Sequence, residues 1–338
     1  MSKDRLRLAI VGAGGISRAH ARGIVEHADK VVCTALCDTS EERLVERKAQ
    51  LGGAPATFHD WQIMLRDAGD SFDAVLICLP HHLHGAAVLD CVAAGKHVLC
   101  EKPLCTTLGE ADDIVAAVEA AGVLFMPGHN QLFAPMVREI KARLEAGDIG
   151  QLHWLRSQDC FLNEADFSEA WRGDKRLQGG GELIDTGYHA TYTLMYYANA
   201  PVAQVRGTFG RYRHAIQGED SASVQVLFEN GVIGEILTSW AFDKPYGTHA
   251  IHLVGSEGEL FGTDNLLYHL PKGAAEPERT ELPKVQTFTE QMSYFADCIA
   301  TGKRPLHSVE ESRNVLEVIL KATENAEGWE GYAAKAIA

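Results

Sequence analysis

The chain has 338 residues, of which 46% are hydrophobic and 23% charged, and it carries a formal net charge of −15. A length of this size favours two domains, because single hydrophobic cores rarely extend beyond roughly 250–300 residues. The negative charge comes without any basic cluster, which argues against nucleic acids and anionic membranes as partners, since their phosphates require lysine and arginine.

The eight cysteines predict free thiols in a reducing compartment, because none belongs to a Cys-x-x-Cys motif and most lie in apolar stretches. The apolar segment that ends at Val11 is interrupted by Arg7 and leads into a glycine-rich turn, so it is interpreted as a first strand and not as a signal peptide. No apolar stretch is long enough to cross a bilayer. The predicted location is the cytoplasm.

The first strand and the turn after it predict a dinucleotide-binding site. The apolar run 6–11 leads into the sequence Gly-Ala-Gly-Gly-Ile-Ser, and a helical pattern follows. Gly12 permits a tight turn, Gly14 lets the backbone approach a pyrophosphate, and the helix N-terminus offers free N–H groups to the anion. Ser17 takes the third small position, and an empty strand–helix turn is the alternative. The predicted cofactor contacts in this turn are Gly12, Gly14, Gly15 and Ile16.

An acidic residue follows the second predicted strand, 31–37. Asp38 lies at the distance from the glycines where a carboxylate hydrogen-bonds the adenosine ribose, and it would repel a 2′-phosphate. NAD is therefore favoured over NADP, although Arg43, about one helical turn later, would soften the preference. The alternative role of Asp38 is a turn residue ahead of a capping box formed by Thr39 and Glu42.

Three histidines follow the predicted strand 73–79. Histidines so close together in a turn seldom converge on one metal ion, and no cluster of carboxylates or thiolates supports them, so no metal site is predicted. A loop at the carboxyl end of a parallel strand is expected instead to line the cofactor groove. The residues assigned to this groove are Leu79, Pro80, His81 and His84.

The strand 97–100 is expected to deliver Glu101, Lys102 and Pro103 to the same edge of the sheet, where the lysine amine would meet a bound ligand. The alternative is a solvated Glu–Lys pair that ends a strand. Glu101 and Lys102 are therefore assigned to the cofactor site as a hypothesis that depends on the rest of the chain.

Thr107 and Glu110 predict a capping box at the start of the next helix, and residues 123–126 are expected to form the last strand of this half. Strand and helix thus alternate over residues 1–127. This alternation predicts an α/β domain with a doubly wound parallel sheet and helices on both faces.

Residues 128–338 are predicted to form a second, α+β domain. A helix is expected over 134–146, and strand-like runs with little helix between them predict a mixed, largely antiparallel sheet. These runs cover residues 152–161, 205–212, 221–229, 232–242 and 250–254. The pair Asn230-Gly231 predicts a hairpin turn between two of them.

One face of this second sheet is expected to pack on helices and the other on a second subunit. The apolar residues assigned to the subunit face are Val224, Val226, Ile236 and Trp240. Residues 281–290 are predicted to be a loop. An amphipathic helix is expected over 308–326, packing back on the first domain.

A carboxylate and a histidine follow three consecutive glycines, 179–181, in the second half. Asp185 and His189 are four residues apart, so a continuous helix would place them on one face. A carboxylate that orients an imidazole and stabilises its protonated form is what a general base near neutral pH requires. A surface ion pair, a core histidine and half of a metal site are the alternatives. The candidates for a substrate-binding rim are Trp171, Arg172 and Lys175, and a solvated loop is the alternative for them.

Together these residues resemble the Gfo/Idh/MocA family, named for glucose–fructose oxidoreductase, inositol dehydrogenase and a rhizopine-catabolism protein. The resemblance spans nearly the whole chain. It rests on the glycine turn 12–17, Pro80 with His84, Glu101-Lys102-Pro103, the segment from Gly179 to His189, and the turn 255–258. Ser17 and His81 depart from the commonest family pattern.

The resemblance implies a Rossmann domain followed by an α+β domain with a large open-faced sheet, through which homodimers or homotetramers form. It also implies a catalytic trio of Lys102, Asp185 and His189, and a Lys–Pro peptide bond that is often cis. The implied substrate is a sugar or cyclitol, and the implied cofactor is NAD, with NADP as the alternative.

The resulting hypothesis is hydride transfer between the cofactor and a hydroxyl or keto carbon. His189 would take the hydroxyl proton, Asp185 would stabilise the imidazolium, and Lys102 would hydrogen-bond the reacting oxygen. Glu101 would anchor the nicotinamide ribose. The alternatives are an NAD-dependent glycoside hydrolase that works through transient oxidation, and a non-catalytic NAD(P)-binding regulator, which would have no need of all three catalytic residues.

Overall fold

A computed structural model describes residues 5–324, which divide into two compact units. Of the described residues, the first unit contains 5–130 together with Gln286–Arg313. The second contains Gln131–Val285 and 314–324. The sequence predicts a boundary between residues 127 and 128 and a helix over 308–326, of which residues 325 and 326 lie outside the described part. The structure places the first boundary three residues later and returns the chain to the first unit well before that helix.

The first unit is built on a six-stranded parallel sheet, which confirms the predicted α/β class. Its strands are β1 Leu6–Val11, β2 Val31–Cys37, β3 Ala56–Phe58, β4 Ala74–Ile77, β5 His97–Cys100 and β6 Phe125–Pro127. Their order is β3-β2-β1-β4-β5-β6. Successive strands are added on one side of β1 up to β3 and on its other side from β4 onward. The strand order therefore reverses between β1 and β4, and doubly wound sheets bind their ligands at this point. Every residue of β4 is buried, as expected of a strand with helices on both faces.

Six helices belong to this unit, with all helices numbered along the chain. They are α1 Ser17–Glu26, α2 Glu41–Gln50, α3 Trp61–Ala68, α4 His84–Ala93, α5 Leu108–Ala121 and α10 Thr287–Thr301. The predicted capping box of Thr107 and Glu110 is confirmed at α5. The predicted cap at α2 is wrong, because Ser40 and not Thr39 is its N-cap residue.

Helix α10 packs against α1, and this contact explains its place in the first unit. A Cβ atom at Gly23 of α1 would lie 3.1 Å from the Cα of Thr289, so the two helices approach closely at the glycine. Met292 and Phe295 of α10 enter the same hydrophobic core as β1. The predicted loop 281–290 is therefore wrong over its last residues, where α10 has already begun.

The second unit is built on an eight-stranded sheet that is mixed and largely antiparallel, as predicted. Its strands are β7 Leu152–Cys160, β8 Val202–Gly210, β9 Ser221–Phe228, β10 Ile233–Ser239, β11 Ile251–Gly255, β12 Gly258–Thr263, β13 Leu266–Pro271 and β14 Glu278–Glu281. Their order is β14-β13-β12-β11-β7-β10-β9-β8. Among the described strands of this second sheet, only β7 and β10 pair in parallel. The predicted hairpin between β9 and β10 is confirmed, with Gly231 at φ +84°.

Helix α9 covers one face of this sheet by packing on β7 and β10. The other helices that fall wholly or partly in the second unit are α6 Pro135–Ala146, α7 Lys175–Gln178, α8 Glu182–Asp185 and α11 Val309–Glu324, and α9 itself is Gly187–Ala198. The boundary between the two units falls inside α11.

The prediction for the subunit face of the sheet is wrong. Val224, Val226, Ile236 and Trp240 are each only 1% exposed, so they belong to the covered face. The period-two alternation was read correctly, but the sequence did not say which face the helix covers. The open face carries Leu227 and Ile233 instead, which are paired across β9 and β10 and remain 37% and 49% exposed.

Within residues 5–324, no helix is both long and apolar enough to span a membrane. All eight cysteines are free, and seven of them are buried.

Candidate functional site

The carboxyl edge of the first sheet collects the predicted cofactor residues of the first unit. Gly12 follows β1 with φ +98°, and a Cβ atom there would clash with the carbonyl oxygen of Cys78, so only glycine fits. At Gly14 and Gly15, by contrast, a Cβ atom would meet no atom within 4 Å. Gly15 and Ile16 are exposed. The turn is therefore closed towards the sheet and open on its outer side, which fits a dinucleotide pyrophosphate at the start of α1.

Ser17 holds this turn from within the protein. Its hydroxyl donates to the carbonyl oxygen of Gly14 at 2.7 Å and accepts from Nε of Arg47 at 2.9 Å. Arg47 belongs to α2 and is only 1% exposed, and burial lowers the pKa of its guanidinium. The sequence did not identify Arg47, because an arginine on an amphipathic helix is expected to face solvent. The available signal was its position three residues after the buried Leu44.

Asp38 links the end of β2 to the glycine turn. Its buried carboxylate accepts one hydrogen bond from the backbone of Ala13 at 2.7 Å and one from the backbone of Ser40 at 2.8 Å. Nη1 of Arg43 lies 4.0 Å from the same carboxylate and is solvent-exposed. Asp38 thus acts as the turn residue of the alternative interpretation, and the two backbone bonds hold it next to the turn where a ribose is expected.

The predicted cofactor-groove histidines after β4 are buried in the protein. His84 is fully buried, with Nδ1 2.7 Å from the carbonyl oxygen of Pro103 and Nε2 2.8 Å from that of Leu79. Burial lowers the pKa of His84, and the two carbonyl contacts oppose this shift. His81 is also buried, while Leu79 and Pro80 are partly exposed. No cluster of three or more metal-ligating side chains occurs between residues 5 and 324.

Glu101 is a buried residue, contrary to the alternative of a solvated strand end. It is 5% exposed, and Oε1 lies 2.6 Å from Nε2 of His20 on α1. The backbone N–H of Lys102 donates to Oε2 at 3.3 Å. Lys102 itself is partly exposed, and its peptide bond to Pro103 is cis.

In the second unit, Asp185 and His189 do not lie in one continuous helix. Helix α8 ends at Asp185 and α9 begins at Gly187, so the predicted helix is split around Thr186. Asp185 is buried and accepts a hydrogen bond from Nε of Arg172 at 2.7 Å in an ion pair.

Arg172, predicted to belong to the substrate rim, is therefore the ion-pair partner of Asp185, the predicted catalytic carboxylate. The guanidinium of Arg172 lies 4.3 Å from the ring centroid of Trp171, in a cation–π contact. Both side chains are partly exposed. Lys175 is exposed at the start of α7. Within residues 5–324, no described contact joins its side chain to Asp185.

His189 contacts a tyrosine that the sequence did not identify. Nδ1 of His189 lies 2.8 Å from the hydroxyl oxygen of Tyr192, one turn further along α9. Tyr192 is fully buried, and its oxygen also accepts a hydrogen bond from the backbone N–H of Gln131 at 3.1 Å. In a stretch rich in tyrosine and threonine, Tyr192 looks like an ordinary core residue. Its spacing of three from His189 was the only available signal.

The three glycines that precede Asp185 and His189 in the sequence allow close packing within the protein. A Cβ atom at Gly181 would clash with the backbone oxygen of Glu219, which lies just before β9. The next residue, Glu182, is fully buried and accepts hydrogen bonds from the hydroxyls of Thr186 and Thr238. Burial raises the pKa of Glu182 well above its ordinary value. These contacts fix the junction between α8 and α9, and with it the backbone that carries Asp185 and His189.

The fold and the edge of the first sheet define the class of protein. A doubly wound sheet, a glycine turn closed by Cys78 after β1 and an acidic residue after β2 are the features of a dinucleotide-binding Rossmann domain. The family model described as an oxidoreductase family with an NAD-binding Rossmann fold matches residues 6–129, and the model of the GFO/IDH/MocA C-terminal domain matches residues 137–261. The chain belongs to the Gfo/Idh/MocA family of NAD(P)-dependent oxidoreductases.

Two inositol dehydrogenases are among its relatives. The chain is 29% identical to myo-inositol 2-dehydrogenase of Thermotoga maritima over 267 residues, which cover 77% of this chain and 76% of the relative. It is 26% identical to scyllo-inositol 2-dehydrogenase (NAD(+)) of Bacillus subtilis over 338 residues, which cover 95% and 94% of the two chains.

Solved structures show the same fold. Levoglucosan dehydrogenase in complex with NADH and levoglucosan matches with a TM-score of 0.85 at 20% identity, covering 96% of this chain and 97% of the other. An oxidoreductase from Agrobacterium radiobacter in complex with NAD+, L-tartaric acid and magnesium matches with a TM-score of 0.86 at 20% identity, with the same coverage. The family assignment and the fold together make the first unit an NAD-binding domain.

Proposed function

We propose that the protein transfers a hydride reversibly between NAD and a ring carbinol of a cyclitol or sugar. The observation that carries this proposal is the contact between Nδ1 of His189 and the buried hydroxyl of Tyr192. An imidazole held through one ring nitrogen presents the other in a defined direction, as a general base requires. The substrate class is supported by the two inositol dehydrogenases among the relatives.

The proposed proton path begins at the substrate hydroxyl and ends at Nε2 of His189. Because Nδ1 faces the oxygen of Tyr192, the productive tautomer has Nδ1–H donating to that oxygen and an unprotonated Nε2. When bound, NAD supplies the hydride acceptor at its nicotinamide ring. Lys102 hydrogen-bonds the reacting oxygen and stabilises the negative charge that develops there.

Asp185 provides a fixed negative charge in this proposal. Its ion pair with Arg172 fixes the direction of the carboxylate. In the proposed reaction this carboxylate stabilises the imidazolium that forms when His189 takes the substrate proton. Glu101 anchors the nicotinamide ribose, and Asp38 the adenosine ribose.

A substrate panel tests the proposal. Purified protein is incubated with myo-inositol, scyllo-inositol, glucose, xylose or levoglucosan and with NAD or NADP at alkaline pH, and NADH formation is followed by absorbance. We expect at least one cyclitol or sugar to reduce NAD. The matched variant His189→Ala should bind NAD as tightly as the wild type and show no turnover.

The panel also has an outcome that would contradict the proposal. Wild-type protein that binds NAD but reduces it with no compound would favour the two alternatives, a hydrolase or a regulator. Release of sugar from aryl glycosides without net NADH would identify the hydrolase, which recycles its cofactor within each turnover.

We also propose that two or four copies associate through the open face of the second sheet. Leu227 and Ile233 support this, because a cross-strand apolar pair left exposed on a sheet commonly marks an interface. The variant Leu227→Glu should lower the molar mass measured by size exclusion with light scattering. Val45→Glu, at an exposed apolar residue of α2, is the matched control and should leave the mass unchanged. A monomeric wild type would refute the proposal.

A further inference from the structure

His20 lies in α1 outside every motif that the sequence identified, yet it contacts the residue proposed to hold the nicotinamide ribose. Its side chain is fully buried, with Nε2 2.6 Å from Oε1 of Glu101. We propose that His20 is a positioning residue, which orients the Glu101 carboxylate towards the ribose hydroxyls of the nicotinamide half of NAD. This inference rests on the proposed function, because it takes NAD as the ligand of Glu101.

The direction of this hydrogen bond follows from the chemistry of its two partners. A carboxylate offers only acceptors, so Nε2–H of His20 donates to Oε1 of Glu101 in a charge-assisted hydrogen bond. Nδ1 is buried and has no hydrogen-bond partner among residues 5–324, so Glu101 is the hydrogen-bond partner that the described residues give this ring.

The carboxylate of Glu101 is held on several sides. The backbone N–H of Lys102 approaches Oε2, and a Cβ atom at Gly128 would lie only 3.0 Å from the carboxyl carbon of Glu101. The imidazole of His20 is itself held by Phe288 of α10, whose ring meets it edge-on with centroids 5.0 Å apart. Segments after β5 and β6 and helices α1 and α10 thus converge on one carboxyl group.

A carboxylate in this position has a chemical use that an apolar residue lacks. Its two oxygens accept hydrogen bonds and donate none. The ligand chemistry that suits it is a vicinal diol, whose two hydroxyls donate to a carboxylate, as in a ribose. The donor at His20 holds Oε1 and thereby directs the carboxylate.

Two ligands distinguish this role from a structural one. NAD contains both riboses, whereas ADP contains only the adenosine half, so loss of the Glu101 orientation should weaken NAD and spare ADP. Binding of each is measured by calorimetry on the intact protein. His20→Phe keeps a ring beside Phe288 but removes the donor, and we expect about tenfold weaker NAD binding with unchanged ADP binding.

Further variants and a control complete the test. His20→Gln places an amide N–H near the original donor and should recover most of the NAD affinity, whereas the shorter His20→Asn should not. The double variant His20→Phe/Glu101→Gln should bind NAD no more weakly than Glu101→Gln alone. His27→Phe, just beyond the end of α1, is the control and should bind both ligands as the wild type does.

The results that overturn the inference are distinct from those that overturn the proposed function. Equal losses of NAD and ADP affinity would show that His20 acts through the glycine turn at the start of α1. Unchanged NAD binding in His20→Phe, or no recovery in His20→Gln, would equally refute it. A wild type that binds ADP but gains nothing from the nicotinamide half would refute the proposed function before any variant is made.

Discussion

Replacement of Tyr192 by phenylalanine removes one oxygen from the second unit and keeps the buried ring. That oxygen lies 2.8 Å from Nδ1 of His189 and 3.1 Å from the backbone nitrogen of Gln131. The net loss is about 1 kcal/mol for each hydrogen bond, so we expect the free energy of unfolding to fall by about 1–3 kcal/mol. The imidazole also loses the contact that sets its tautomer and direction.

The larger expected effect of Tyr192→Phe is on turnover. A base that is free to rotate or to change tautomer is correctly placed only part of the time, so kcat should fall about 10–100-fold, equivalent to about 1.4–2.8 kcal/mol. The NAD dissociation constant should not change, because Tyr192 belongs to the second unit and the glycine turn to the first. The assay is steady-state kinetics with the substrate found in the panel, together with NAD titration and urea unfolding.

Tyr197→Phe is the matched control, since it removes a buried hydroxyl of α9 whose hydrogen bond within the described residues is a long one, 3.5 Å, to the carbonyl oxygen of Val137. It should leave kcat within about twofold. If Tyr192→Phe lowers stability but leaves kcat at the control's level, the tyrosine is a packing residue and the argument for an oriented base at His189 fails.

Three further predictions concern the first unit, the buried glutamate and a helix cap. Asp38→Ser should raise the affinity for NADP relative to NAD by at least about tenfold, because it removes the charge that would repel a 2′-phosphate; equal affinities for both cofactors in the wild type would contradict this. Glu182 has a pKa raised by burial, so the folded state binds its proton more tightly and stability should fall as pH rises above the ordinary pKa of 4.5; Glu182→Gln should flatten that decline in urea unfolding followed upward from pH 4.5. Thr107→Ala removes the capping box of α5 and should lower the free energy of unfolding by about 1 kcal/mol without a change in NAD affinity, and a loss of NAD binding would show that the helix start also shapes the cofactor site.

Features that depend on neighbours in the chain were predictable. The turn at Gly12 needs a positive φ, and the clash of any Cβ with Cys78 shows why glycine stands there. The capping box at Thr107 and the hairpin at Gly231 are local in the same sense. The strand–helix alternation that predicted the parallel sheet is also a local pattern repeated along the first half.

Features that depend on which helix packs on which face of a sheet were not predictable from the sequence. Val224 and Ile236 were assigned to the open face of the second sheet, but α9 covers that face. The start of helix α10 is hidden in the sequence, because Thr287 has no side-chain cap before it and Pro283 lies four residues earlier. The two glycines of β12 and the all-polar β14 likewise hide the period of two.

The sequence alone determined the class of this protein: the glycine turn, Asp38 and the Glu101-Lys102 strand end are each short-range patterns with one chemical use. Only the tertiary structure decided which side chains support them. Arg47 lies under Ser17, His20 meets Glu101, and Arg172 pairs with Asp185. Each pair joins residues 13 to 81 positions apart, and each buries a charged side chain whose type predicts exposure. Burial and partnership of polar groups are properties of the packed fold, because a charge leaves water only where the fold supplies its hydrogen bonds.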